Sequence, residues 1–281
     1  MADHLAGGSC HNMRRNLPAA LELDALADGF GAAARDAHLF KVAVVRSAVA
    51  LGIGQILDLG CGTPREPALA DVARRAGARA QVVHVEGDPL TAGYGRALLE
   101  TDTSTVTVEA PCLSTVVLDH PTVREHIDLS QPLCLLLVAA AHTAPLASLG
   151  ELAFALADRL APGSLFAVSQ WAADSVDIRW AVNDCLYERT HGTSGTVRST
   201  GEVSAAFEPH LLLGPPPGPV IRWQPDPGPG GGELVPLHDG RTGVVEFGAV
   251  IRIPVQGAPA DVASGGDPGT PSCGGIGGRR P

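Results

Sequence analysis

Asp58, Gly60 and Gly62 close the apolar run of "QILDLGCGTP", and Glu86 closes the next such run, "AQVVHVE". Two glycines after a strand let a ligand come close to the backbone, because neither carries a Cβ. A carboxylate at the end of the second strand can accept hydrogen bonds from both hydroxyls of a ribose. A dinucleotide turn asks for G-x-G-x-x-G, with pyrophosphate on the following helix start. Here Arg65 stands at the third glycine position, and Asp58 would repel a pyrophosphate while suiting a cationic or hydroxyl-bearing ligand. Glu86 follows Gly60 by 26 residues, against roughly 20 in the compact dinucleotide unit. The set argues against NAD and describes a pocket for a nucleoside with a positive tail. S-adenosylmethionine, an adenosine carrying a sulfonium and no phosphate, fits. The plainer reading is a tight turn followed by a solvated strand end.

Methyl transfer from a sulfonium is an in-line displacement in which positioning and desolvation can suffice, with a base needed only for a poor nucleophile. His142, in "AAAHTAP", is the best-placed base, just past an apolar run that reads as a strand. Its alternative is a cap or a loop tether. His11 is a weaker candidate. Trp171 and Tyr187 are candidates to line an acceptor cavity, although single aromatics are more often core. Cys61 has no paired histidine in its sequence context, so it reads as a small residue tolerated in a tight turn.

These residues need a frame, and the chain supplies one. From Gln55 onward strand-like and helix-like segments alternate, the pattern of a parallel sheet covered on both faces. The predicted strands are "QILDL", Ala80 to Glu86, "TVTVE", Leu133 to Ala139 and Ser164 to Gln170, with helices between them. Two further strands, in "LLLGPPPGPVIRW" and "GVVEFGAVIRIP", should pair antiparallel with each other. Before the sheet, Leu17 to Leu51 reads as two helices. The second, with "LFKVAVVRSAVALG", is apolar around most of its circumference and should be buried against the sheet. Ser199 and Glu202 have capping-box spacing for a short helix. The expected division is an N-terminal helical lid or extension over 1–51, a Rossmann-like domain over 52–255, and a Gly/Pro-rich tail over 256–281 too apolar-poor to order itself.

Composition narrows the function. The net charge is −10 and Lys41 is the only lysine, so no basic stripe exists to neutralise nucleic-acid phosphates. Six scattered cysteines lack zinc spacing and read as free thiols. No run has the length of a membrane span or a signal peptide, so the expectation is a soluble cytoplasmic protein with a small-molecule substrate, no nucleic acid, no membrane and no metal. The excess of Ala, Gly, Pro and Arg over Lys matches the codon bias of a GC-rich, actinobacterial genome.

The segments "FKVAVVRSAV", "ILDLGCGTP", "VVHVEGDPLTAGYGRALL", "HIDLSQPLCLLLVAAAHTAP" and "LADRLAPGSLFAVSQ" resemble the actinobacterial S-adenosylmethionine-dependent methyltransferase family long catalogued as a domain of unknown function. The resemblance runs from about Asp3 to Pro254. It includes "DHLAGGSCHN", "VRSTGEVSAAF" and "GPVIRWQPD". It implies the class I methyltransferase fold: α/β, a Rossmann-like sheet of seven mostly parallel strands with the last antiparallel. It also implies S-adenosylmethionine as cofactor, with Asp58, Gly60 and Gly62 on the methionine and ribose side and Glu86 on the ribose hydroxyls. Asp88 falls beside the adenosine edge, and the opening segment contributes Gly8 and Asn12. The chain departs from the family pattern after the third strand, where Ala110 and Cys112 replace the acidic segment that meets the adenine amino group. Glu109 is the nearest substitute. Two functions follow. One is methyl transfer to a small molecule in specialised metabolism. The other is a methyltransferase-fold protein with lost or altered methyl transfer, serving as a binding subunit or catalysing another reaction. The N-terminal helices offer a lid, or a contact to a second copy or a partner protein.

Overall fold

The computed structural model describes residues 16–144, 149–190, 195–207, 212–214, 216–224 and 243–255. Gly8, His11, Asn12 and the tail lie outside the described residues.

Two helices come first, α1 (Asn16–Leu26) and α2 (Phe30–Ala50). Strands β1 (Gln55–Leu59), β2 (Gln81–Glu86), β3 (Thr105–Glu109), β4 (Cys134–Leu137) and β5 (Leu165–Ala172) then alternate with α3 (Leu69–Arg75), α4 (Pro89–Leu98), α5 (Pro121–His126) and α6 (Leu149–Ala157). After β5 come α7 (Val176–Thr190), α8 (Thr200–Ala205), β6 (Gly218–Pro219) and β7 (Val245–Arg252). Among the described residues the strands form one sheet of seven in the order β3-β2-β1-β4-β5-β7-β6. The first five are mutually parallel, and β7 runs antiparallel between β5 and β6. This is the predicted class I arrangement.

Alternation along each strand divides the core. Leu57, Leu59, Val83, Val85 and Leu135 face one side, where α5 and α6 close over them. Ile56, Val82, Leu136 and Val250 face the other, against Phe40, Val44, Val45 and Ala48 of α2. The burial of α2 on the sheet follows from its broad apolar surface. The proline-rich segment before Trp223 delivers less strand than expected. Only Gly218–Pro219 pairs with β7, with an isolated bridge from Leu212 to Ile251, because proline offers no N–H to a ladder. The capping box at α8 is present: Glu202 N–H donates to Ser199 Oγ at 3.2 Å and Ser199 N–H to Glu202 Oε2 at 2.7 Å. No described helix is long and apolar enough to cross a membrane.

Candidate functional site

The turn after β1 is fixed from beneath: Gly60 N–H and Cys61 N–H both donate to Val85 O on β2, at 2.8 and 3.1 Å. Gly60 and Gly62 have φ of 68° and 70°, the left-handed region that disfavours side chains. A Cβ on Gly60 would lie 2.5 Å from Ala140 Cβ, whereas one on Gly62 would meet nothing within 4 Å. Gly60 is therefore glycine for packing, and Gly62 opens onto free space.

Glu86 is held beside that opening. Its Oε2 accepts from Gly62 N–H at 2.9 Å and its Oε1 from Asp88 N–H at 3.0 Å. Each carboxylate oxygen has a second lone pair, so the group keeps capacity for two hydroxyls. Asp88 itself caps α4, its Oδ1 accepting from Thr91 N–H at 2.8 Å, with Pro89 in the first helical turn.

Asp58 differs from its sequence expectation. Its side chain is buried, and the charge assigned to a cationic ligand is met from within the chain: Lys41 Nζ on α2 donates to Oδ1 at 2.7 Å. His84 Nδ1 on β2 lies 3.3 Å from Oδ2. Burial alone would raise this carboxyl, but the Lys41 charge and the His84 hydrogen bond outweigh it and hold the pKa at about 2. Sequence reasoning missed Lys41 as a site residue. The available signal was a lone lysine in an otherwise apolar helical stretch.

These groups line a cavity of about 110 Å³ between α2, the glycine turn and the carboxyl ends of β4 and β5. Lys41, Asp58, Gly60, Gly62, His84 and Trp171 are in its wall; Glu86, Asp88, Glu109 and His142 are not. Trp171 Nε1 is buried with no hydrogen-bond partner. Ala139, also in the wall, has φ of 56°. Its strained backbone is tied down by its N–H to Ser169 Oγ at 3.3 Å.

His142 lies behind Trp171, the two rings stacked at 4.0 Å and 10°, and Phe30 meets the indole edge-on at 5.2 Å. Burial, with Arg198 adding to it, pulls the imidazole down to about 3, so the ring is neutral at ordinary pH. Arg198 is itself buried and fastens the turn carrying His142, donating to Ala144 O at 2.6 Å, Ala141 O at 3.3 Å and Gln170 Oε1. Tyr187 is 69 % exposed on α7, away from this wall.

At the end of β3, Glu109 is turned toward solvent and paired with Arg96 at 3.5 Å. Ala110 N–H donates to Glu86 O at 3.1 Å, and Cys112 Sγ would sit 3.5 Å from a Cβ on Gly60. Burial pushes the Cys112 thiol up to about 11 and raises that of Cys61 further. Neither offers a thiolate, in keeping with Cys61 as a small turn residue. Gly62's open side and the Glu86 carboxylate suit a nucleoside whose far end enters the cavity.

The profile of the S-adenosyl methyltransferase family matches residues 1–253. A crystal structure from Thermobifida fusca YX, of a protein provisionally named a methyltransferase, is 26% identical with a TM-score of 0.78, covering 90% of this chain and 93% of that one. A DUF574 family protein from Streptomyces avermitilis MA-4680 is 25% identical with a TM-score of 0.76, covering 90% of this chain and 95% of that one. No curated protein sequence matches.

Proposed function

Since this chain belongs to the S-adenosyl methyltransferase family, and is a methyltransferase with S-adenosylmethionine as its cofactor, we propose that it methylates a small molecule of specialised metabolism. The observation that carries the cofactor site is Glu86, fixed by two backbone N–H groups beside the open face of Gly62. The bound cofactor supplies an electrophilic methyl on a sulfonium, open to in-line displacement by an acceptor lone pair. Glu86 takes the ribose hydroxyls and Gly62 lets the nucleoside approach the backbone. Asp88 and Glu109 lie on the adenosine side; Gly8 and Asn12 join the site from the opening segment. Of the N-terminal extension, α2 contributes His38 and Lys41 to the cavity wall.

Asp58 serves here as an internal counter-ion to Lys41, and Trp171 as an aromatic ring in the cavity wall. His142 enters as the ring that orients Trp171, since a base with a pKa near 3 has little driving force for proton abstraction at neutral pH. A small acceptor accords with a net charge of −10 and a single lysine that is buried in an ion pair. The absence of an acid at Ala110 and the Glu109–Arg96 pair support a second reading, in which the cofactor binds without methyl transfer.

Calorimetric titration with S-adenosylmethionine and S-adenosylhomocysteine, with NAD as control, tests both. Micromolar binding that weakens by about 100-fold or more in Glu86→Ala supports the nucleoside site, because two hydrogen bonds to a charged group are lost at about 1.5–3 kcal/mol each. Binding without turnover on any offered acceptor selects the second reading. Binding of NAD alone overturns both.

A further inference from the structure

With the nucleoside at Glu86 and Gly62, the far end of the cofactor brings two charged groups past the sulfonium, an α-ammonium and an α-carboxylate, to the cavity between α2 and the glycine turn. Asp58, the carboxylate in that wall, is already taken by Lys41 and His84. The open groups are on α2. His38 and Lys41 stand three residues apart on that helix, so they share one side of it, and both line the cavity. His38 Nε2 lies 3.1 Å from Glu66 O. A carbonyl only accepts, so Nε2 carries the hydrogen and Nδ1 of the neutral ring carries a lone pair. Glu66 is not in the cavity wall, so this bond holds the ring by its outer edge. Nδ1 has no partner among the described residues and is not sealed off. Lys41 has donors to spare: an ammonium has three, and among the described residues only Asp58 Oδ1 takes one.

The charges around His38 decide which end of the amino acid it meets. Burial lowers its pKa below the ordinary 6.5, Lys41 and Arg65 lower it further, and the Glu66 carbonyl and Asp58 act against them. Of the charges that act on the ring, the two cations outweigh Asp58. Among the other titratable groups in the wall, His84 is turned to Asp58, and Cys61 keeps its thiol protonated. Such surroundings disfavour a further cation and favour an anion. We propose that the carboxylate of S-adenosylmethionine is received by Lys41 Nζ and by His38 Nδ1, which takes up a proton as the carboxylate arrives.

The assignment rests on the nucleoside site at Glu86 and adds the residues that hold the other end of the same molecule. A carboxylate beside an imidazole favours the charged ring, so binding at pH 7 draws a proton from solvent onto Nδ1. The sign of the pH dependence follows. His38 has the higher pKa in the bound state, so affinity rises as pH falls through the bound value and levels off below the free one, which lies under 6.5.

The full chain is titrated calorimetrically at pH 7 in two buffers of different ionisation enthalpy. The probes are S-adenosylmethionine, decarboxylated S-adenosylmethionine, which lacks only the carboxylate, and 5′-methylthioadenosine, which lacks the whole amino-acid end. S-adenosylmethionine should bind about 10-fold or more tighter than its decarboxylated form, the worth of one hydrogen bond to a charged group, and only its enthalpy should differ between the buffers. His38→Ala should remove that buffer dependence and weaken S-adenosylmethionine by about 10-fold or more, leaving the decarboxylated form unchanged. His38 is only partly buried, and alanine suits the helix that carries it. Lys41→Met/Asp58→Asn, which removes the buried pair as a unit, should likewise narrow the preference for the carboxylate. Equal affinity for the two forms, or a preference that survives in His38→Ala, overturns the assignment; 5′-methylthioadenosine binding that weakens in Glu86→Ala would then leave the nucleoside site standing. No binding of any of the three probes overturns both.

Discussion

Asp58 and Glu246 are both buried carboxyls, three strands apart in the order β1-β4-β5-β7, yet burial and partners shift them in opposite directions. Asp58 has Lys41 on one oxygen and His84 on the other and is held at about 2. Glu246 has only neutral donors, the Ser169 hydroxyl and the Ala139 N–H, and no cation bonded to it, and burial pushes it up to about 8. Burial penalises the charged form of each; the difference lies in where the one lysine is committed. Lys41 feels both carboxyls but hydrogen-bonds only Asp58. One carboxylate is thereby a structural anion under the glycine turn, and the other is held mostly neutral at pH 7.

Breaking the paired end should have the largest effect. Lys41→Met strands a buried carboxylate, which typically costs about 3–5 kcal/mol, and urea denaturation at pH 7 measures it. The double variant Lys41→Met/Asp58→Asn should recover most of that loss, since both charges are then gone. The sign of the pH dependence follows from the folded pKa lying below the ordinary 3.8. The Asp58 contribution is full above about pH 4 and disappears as pH falls through about 2; the shift corresponds to roughly 2 kcal/mol. Lys41→Met at wild-type stability would mean that the ion pair does not hold the turn.

The unpaired end should respond with the opposite sign. A carboxyl whose folded pKa is raised from 4.5 to about 8 contributes stability below the unfolded value that is lost as pH rises toward the folded one. Glu246→Gln removes that dependence. Relative to wild type, the variant should gain roughly 3 kcal/mol between pH 5 and pH 8, from about 1.4 kcal/mol for each pH unit. Melting curves across that range check it. Parallel curves for the two proteins would place the Glu246 pKa near its ordinary value and dissolve the contrast with Asp58.

The two ends also differ in how far the sequence reveals them. The glycine turn, Glu86 at the end of β2 and the alternation of strands and helices are local signals, and the capping box of Ser199 and Glu202 is read from four residues. A sheet of seven mostly parallel strands with the last antiparallel followed from the family resemblance, while the strand order did not. Pairings across the sheet are not local. Lys41 lies 17 residues before Asp58, and the apolar setting of "LFKVAVV" hints at its burial without naming its partner. His142 is correctly placed after β4, but only packing sets its ring behind Trp171. Glu246, inside the apolar "VVEFGAV", becomes notable only once Ser169, 77 residues earlier, is seen to hold one of its oxygens. Proline content shortened β6 to a pair of residues, where periodicity alone suggested a full strand.

Ser169 gives the smallest and most discriminating test of the contrast. Its hydroxyl donates to Glu246 Oε1 at 2.5 Å and accepts the N–H of Ala139, the residue held at positive φ in the cavity's wall. It thus links Glu246 to the wall of that cavity. Ser169→Ala should cost about 1 kcal/mol at pH 5, the net worth of an ordinary hydrogen bond. Since that hydroxyl lowers the Glu246 pKa, its removal should carry the alkaline loss of stability to still higher pH. A variant that loses stability while the alkaline midpoint stays fixed would show that Ser169 matters through Ala139 alone, and that Glu246 is held neutral without regard to the Ser169 hydroxyl.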